Sequence, residues 1–114
     1  MKSALRVLER SSCAGKKIAV LGDMYELGNE SENQHFGVGA FAGKLDIDTV
    51  VAIGETAVKI CEGAEGGRPQ IAYYEKKEDF YRDIDQFIGD GDLILVKGSR
   101  GMKMEQVVEN ILER

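Results

Sequence analysis

Four short apolar runs, spaced along the chain and separated by segments of a different period, constrain its fold more than anything else in the sequence. They are Lys17-Ile-Ala-Val-Leu-Gly22, Thr49-Val-Val-Ala-Ile53, Gln70-Ile-Ala-Tyr-Tyr74 and Asp92-Leu-Ile-Leu-Val96. The first is rich in β-branched residues and closed by glycine, as a buried strand is. The intervening segments carry apolar residues at helical spacing. Strands that alternate with helices join by crossovers into a parallel sheet with helices on both faces. The expected class is α/β, a Rossmann-like three-layer domain with a mainly parallel sheet. The simplest strand order is 3-2-1-4.

The helical segments are legible at different strengths. Residues 2 to 11 set Ala4, Leu5, Val7 and Leu8 against Lys2, Arg6, Glu9 and Arg10. Ser31 and Gln34 have capping-box spacing, which starts a helix expected to reach about Leu45. A short helix is expected from Glu55 to Cys61, broken by the glycine-rich stretch that ends at Pro69. Phe80, Ile84, Phe87 and Ile88 define another from Lys77 to Ile88, stopped by Gly89-Asp-Gly91. A last one runs from about Met102 to Leu112, with Met104, Val107, Val108, Ile111 and Leu112 toward the core. With 114 residues, 43% of them hydrophobic, the chain suits one compact core, and no internal repeat or domain linker divides residues 1 to 114. It opens inside a helix without a capping residue, which hints at excision from something longer.

Composition removes several function classes. Asp and Glu outnumber Lys and Arg 20 to 15, for a net charge of −5, and this opposes non-specific nucleic-acid binding, which needs a basic face. No apolar run is long enough for a bilayer span, and no signal peptide is evident, so a cytoplasmic protein without membrane insertion is expected. Cys13 and Cys61 lack metal-knuckle spacing and are expected to be reduced structural thiols. Walker A, zinc-site and nucleophile-elbow sequences are all absent. A self-contained ATP enzyme is therefore not expected.

In an open parallel sheet ligands bind beyond the carboxyl ends of the strands, where the strand order reverses. For order 3-2-1-4 that point lies between the first and fourth strands. The loops that follow them, Gly22-Asp-Met-Tyr-Glu-Leu-Gly28 and Lys97-Gly-Ser-Arg-Gly101, are the least ordinary segments of the chain. Lys97 and Arg100 supply cations, Ser99 a hydroxyl, and Gly98 close access to backbone N–H groups at a helix start, a set suited to a carboxylate or phosphate. The bland alternative is that the two cations pair with surface acids while Ser99 caps the last helix. Asp23 and Glu26 offer acceptors for an ammonium group, against a plain turn and a solvated acid. Gly37, Gly39 and Ala42 match a dinucleotide fingerprint but fall in mid-helix, where small residues serve close helix–sheet packing instead. His35, the only histidine, is expected to be solvated or structurally bonded. Strand alternation makes one of Tyr73 and Tyr74 a core residue and the other a surface residue.

Val20-Leu-Gly-Asp-Met-Tyr-Glu-Leu-Gly28, Glu30-Ser-Glu32, His35, Val96-Lys-Gly-Ser-Arg100 and Met104-Glu105 resemble, in order and spacing, the C-terminal domain of the Mur amide ligases of cell-wall synthesis. The branch they resemble adds D-alanyl-D-alanine to a UDP-N-acetylmuramoyl tripeptide. The similarity extends along the whole chain, and Met1-Lys-Ser-Ala-Leu5 looks like the segment after that family's Asn-Ala-Asn-Pro motif, itself absent here. The Asp-Asn-Pro-Arg loop of the diaminopimelate-adding branch is also absent. The resemblance implies one domain of a three-domain enzyme, with ATP and Mg2+ bound mainly by a central domain and the UDP-sugar peptide by an N-terminal one. It implies ATP-driven formation of an acyl phosphate, which the dipeptide amine attacks. Lys97, Gly98, Ser99 and Arg100 would hold the dipeptide carboxylate or the phosphate region, and Asp23 and Glu26 would orient the amine or shape its loop. This chain would close over ATP as a lid, with no catalytic residue of its own.

Two other classes share the strand pattern. A receiver-like signalling domain needs a phosphoacceptor Asp at the end of the third strand, where this chain has Tyr73-Tyr74-Glu75. A free-standing small-ligand-binding module would share the rim and lack the catalytic partners.

Overall fold

The computed structural model describes residues 1–25 and 28–113. Over these residues the order is α1 (Lys2–Arg10), β1 (Lys17–Gly22), a 3-10 turn (Gly28–Glu30), α2 (Ser31–Gly43), β2 (Thr49–Ile53), α3 (Val58–Ala64), β3 (Gln70–Tyr74), α4 (Lys77–Phe87), β4 (Leu93–Lys97), a second 3-10 turn (Arg100–Met102) and α5 (Glu105–Glu113). The strands form one parallel sheet in the order β3-β2-β1-β4. The fold class and strand order expected from the sequence are those found.

Side chains alternate across the central strands, so β1 and β2 divide their apolar residues between two cores. Ala19, Leu21, Val50 and Ala52 join Leu5 and Leu8 of α1, Val38 and Ala42 of α2, and Ile60 of α3. Ile18, Val20, Val51 and Ile53 point the other way and join Phe80 and Ile84 of α4 with Met104 and Val107. The chain steps from β1 to β2 to β3 with α2 and α3 on one face. It then returns past β1 to β4 through α4 on the opposite face, as crossovers of one hand require when their direction reverses.

Several local expectations are corrected. The Ser31 capping box does not form: the chain enters α2 from a 3-10 turn, Glu30 sits at φ −88° and ψ 0°, and no side chain caps the helix. A box needs an extended residue ahead of the helix. The helix ends at Gly43 rather than near Leu45. The third helix starts at Val58, because Gly54 turns at φ 128° and the Ala57 N–H is committed to Asp23. The last helix is delayed to Glu105 by the 3-10 turn and by Lys103 in the left-handed region, φ 51°. Val108 and Leu112, expected in the core, are 39% and 79% exposed. Over the described residues β4 is an edge strand, so nothing lies beyond it for the outer flank of α5 to cover.

One small residue in α2 also has a different use from the one expected. Gly39 serves helix–helix packing, while Ala42 joins the core beneath the sheet. A Cβ on Gly39 would overlap the Ile60 carbonyl of α3, and one on Gly63 would overlap the Phe36 carbonyl of α2. Glycines on both helices thus bring the two backbones into contact.

Gly39→Ala is expected to destabilise the domain by about 1–3 kcal/mol, the usual range for overpacking. Gly37, where an added Cβ has only the Lys2 ammonium at 3.9 Å, is the control: Gly37→Ala should be neutral or stabilising by about 0.5–1 kcal/mol. Urea unfolding of the two variants measures the contrast.

Candidate functional site at the carboxyl edge of the sheet

The reversal of strand order places the ends of β1 and β4 side by side, with Leu21 paired to Lys97. The two following loops then meet backbone to backbone. A Cβ on Gly98 would lie 3.3 Å from Gly22 Cα and 2.8 Å from Met104 Cγ, so glycine allows the approach. Two hydrogen bonds fasten the loops: the Ser99 N–H donates to the Asp23 carbonyl at 3.0 Å, and the Tyr25 N–H donates to Ser99 Oγ. Ser99 makes no side-chain cap to the turn that follows it. It is a loop clasp.

His35 holds the same loop from below. Its ring is fully buried; Nε2 accepts the Met24 N–H at 2.9 Å, and Nδ1 lies 2.6 Å from the Ser31 carbonyl. A carbonyl only accepts and an amide N–H only donates, so the proton is assigned to Nδ1. Of the two expectations for this residue, the structurally bonded one is found.

Asp23 is 6% exposed. Its backbone faces the Ser99 loop, but its carboxylate turns toward β2, where Oδ1 accepts the Ala57 N–H at 2.7 Å. A Cβ on Gly54 would overlap that carboxylate. The Tyr73 hydroxyl donates to the Gly54 carbonyl at 2.7 Å, fixing the same turn from β3. Burial, and next the negative charge of Glu75, hold the Tyr73 hydroxyl above its ordinary pKa, so it stays a donor at neutral pH. Glu26 lies outside the described residues.

Lys97 and Arg100 are exposed. Among the described residues neither enters an ion pair or a side-chain hydrogen bond, so the surface-pairing alternative is not found among them. Two open grooves of about 340 and 360 Å³ flank the Lys97–Gly101 loop. One runs along Val96 to Arg100 and Glu105; the other is bounded by Tyr25, Ser99, Arg100 and Gly101. The loop leads into a 3-10 turn rather than directly into α5, so the backbone N–H groups at hand are those of Arg100 and Gly101.

A larger cleft of about 520 Å³ opens on the other side of Tyr25, over the ends of β1, β2 and β3. Glu55, Thr56, Glu75, Lys76 and Glu78 border it together with Asp23. Sequence reasoning passed over Glu55 and Glu75, although each follows a strand at its carboxyl end, where an open α/β sheet binds ligands. Lys77 is occupied elsewhere, donating to the Met102 carbonyl and to Gln106 Oε1. Among the described residues no group of three or more His, Cys, Asp and Glu is placed to hold a metal ion. Cys13 and Cys61 are both free thiols, and burial pushes Cys61 up to about 11, so it is no nucleophile at neutral pH.

A doubly wound α/β domain with a cationic, glycine-flanked rim at its switch point is the class that these features define. The chain belongs to a family: residues 1–100 match the model described as Mur ligase, glutamate ligase domain. The UDP-N-acetylmuramoyl-tripeptide–D-alanyl-D-alanine ligase of Bacillus subtilis (strain 168) is 38% identical over 115 residues, covering 99% of this chain and 25% of that protein. The ligase of the same name from Escherichia coli (strain K12) is 34% identical, with 99% and 24% covered. A crystal structure of MurF from Acinetobacter baumannii superposes with a TM-score of 0.87 at 27% identity, covering 100% of this chain and 25% of that one. MurF ligase from Thermotoga maritima in complex with ADP gives 0.75 at 27% identity, with 96% and 24% covered. The chain spans about a quarter of the length of the curated relatives it matches.

Removing the imidazole tests the clasp. His35→Leu leaves the Met24 N–H without its acceptor and is expected to cost about 1–3 kcal/mol. Thermal unfolding gives the loss, and faster exchange of the Met24 amide locates it.

Proposed function

We propose that residues 1–114 form the C-terminal domain of a three-domain, ATP-dependent amide ligase of the cytoplasm, which adds D-alanyl-D-alanine to a UDP-N-acetylmuramoyl tripeptide in peptidoglycan precursor synthesis. Relatives that bear this activity in their names and align along nearly the whole chain support the reading. The observation that carries it is the clasped rim, where Lys97 and Arg100 stand exposed and, among the described residues, without an ion pair beside the Ser99 hydroxyl. That arrangement suits a carboxylate, because the guanidinium presents a planar fork and the ammonium a compact charge.

The sequence holds no glycine-rich phosphate loop, and among the described residues no cluster of His, Cys, Asp and Glu is placed for a metal ion; ATP and Mg2+ would be held mainly by the central domain. When bound, ATP supplies the phosphoryl group that activates the tripeptide carboxylate. The work of this chain is to position and to cover. Arg100, Lys97, the Ser99 hydroxyl and the backbone N–H groups that follow Gly98-Ser99 hold the dipeptide by its carboxylate, and Asp23 and Glu26 orient its amino group or shape the loop beside it. A carboxylate next to an amine favours the ammonium form, so Asp23 docks the amine and does not serve as its base. Closure of the domain brings that amine to the activated carbonyl and excludes water, which is proximity and lid catalysis.

In the full-length enzyme Arg100→Ala is expected to lower kcat/KM for the dipeptide by about 1–3 kcal/mol, as loss of a charged hydrogen bond does. Unchanged steady-state kinetics would take Arg100 out of the site. Used alone, the 114-residue chain should form no amide from the UDP-tripeptide, D-alanyl-D-alanine and ATP. Turnover by the chain alone would overturn the division of labour.

A further inference from the structure

Of the two grooves that flank the Lys97–Gly101 loop, only one suits a carboxylate at Arg100. Glu105 borders the groove that runs along Val96 to Arg100, and its charge repels a second carboxylate there. The other groove, of about 360 Å³, is bounded among the described residues by Tyr25, Ser99, Arg100 and Gly101, with no acid between them. Its one large apolar wall is the Tyr25 ring.

That ring is held in place from two sides. A Cβ on Gly101 would come within 2.5 Å of Tyr25 Cε2 and 2.8 Å of Cδ2, so the absence of a side chain lets the ring close on the turn. The Tyr25 N–H donates to Ser99 Oγ, which fixes the backbone from which the ring extends. Tyr25 belongs to neither core and is 46% exposed. Among the described residues its hydroxyl has no hydrogen-bond partner, so what the groove meets is the bulk of the ring. An aromatic surface left in water gains when an apolar group covers it. The carboxylate and the side chain of a terminal residue leave the same Cα. Anchoring the one at Arg100 therefore brings the other against the ring.

We propose that Tyr25 sets the size of the terminal side chain that the groove accepts: the ring packs on a methyl group and leaves no room for a branched one. The inference rests on the carboxylate site proposed above and gives Tyr25 a part in selecting the residue that bears the carboxylate.

Steady-state kinetics of the full-length enzyme with three dipeptides test it: D-alanyl-D-alanine, D-alanyl-D-valine, which is bulkier at the carboxylate end, and D-valyl-D-alanine, bulkier at the amino end. In Tyr25→Ala the preference in kcat/KM for D-alanyl-D-alanine over D-alanyl-D-valine should fall at least about tenfold, the scale of a methyl group in an apolar site. The preference over D-valyl-D-alanine should stay as in the parent. Tyr25→Phe should keep both preferences, because the ring and not the hydroxyl bounds the groove. Gly101→Ala, whose Cβ must push the ring aside, should lower the first preference in the same direction as Tyr25→Ala. Loss of the ring for purely structural reasons would slow all three dipeptides alike and move neither preference, and that result would overturn the role of Tyr25. Arg100→Ala separates this failure from failure of the site. Impaired use of all three dipeptides in Arg100→Ala, with unmoved preferences in Tyr25→Ala, removes only the selection by Tyr25; unchanged kinetics in Arg100→Ala remove the carboxylate site and the selection with it.

Discussion

The junction of the β1 and β4 loops is where the rest of the structure converges. Parallel strands present their carboxyl ends together, but nothing in a sheet by itself makes the loops beyond those ends hold still. Here the Ser99 amide and hydroxyl bond Asp23 and Tyr25 in opposite senses, and the intervening Met24 amide is taken by a buried imidazole. Three consecutive residues of one loop are thus fixed by partners 11 to 76 positions away in sequence. Without that fastening, Lys97 and Arg100 would be two mobile surface cations, and ordering them on a ligand would cost side-chain and backbone entropy at the moment of binding.

The scaffold beneath the clasp supplies its rigidity. Central strands β1 and β2 are buried along nearly all their length, so the positions of Gly22 and Gly54 follow from two packed cores. Contact between α2 and α3 through Gly39 and Gly63 brings His35 beneath the first loop and carries the turn that Asp23 caps. At the other side of the sheet, Asp92 locks the approach to β4. Burial alone would raise its carboxyl pKa, but the Lys16 and Gly89 N–H groups outweigh that and hold it below the usual range.

How much of this the sequence carries depends on which atoms do the work. The strands are legible because continuous β-branched runs have few other uses, and the order 3-2-1-4 follows from the shortest crossovers; both are found. The two loops stand out because glycine, cations and acids gather at the strand ends. Roles within the loops are less legible. Ser99 has cap-like spacing, yet its hydroxyl serves a residue 74 positions away. Asp23 reads as an acceptor at the rim, while its carboxylate turns toward β2. Glu55 and Glu75 belong to ordinary charged stretches until the sheet brings them to one cleft with Asp23. Val108 and Leu112 obey helical periodicity, but periodicity does not reveal that β4 is an edge. Local pattern reports backbone preference; side-chain partners distant in sequence need the fold.

Native-state hydrogen exchange probes the clasp most directly, because its three amides, Met24, Tyr25 and Ser99, lie in loops that would otherwise exchange freely. If the loops are fastened as one unit, these amides are protected in the unliganded chain and open together, with one common free energy and one dependence on denaturant. Exchange of all three at the rates of an unstructured peptide, with β1 and β4 still protected, would contradict a preformed rim.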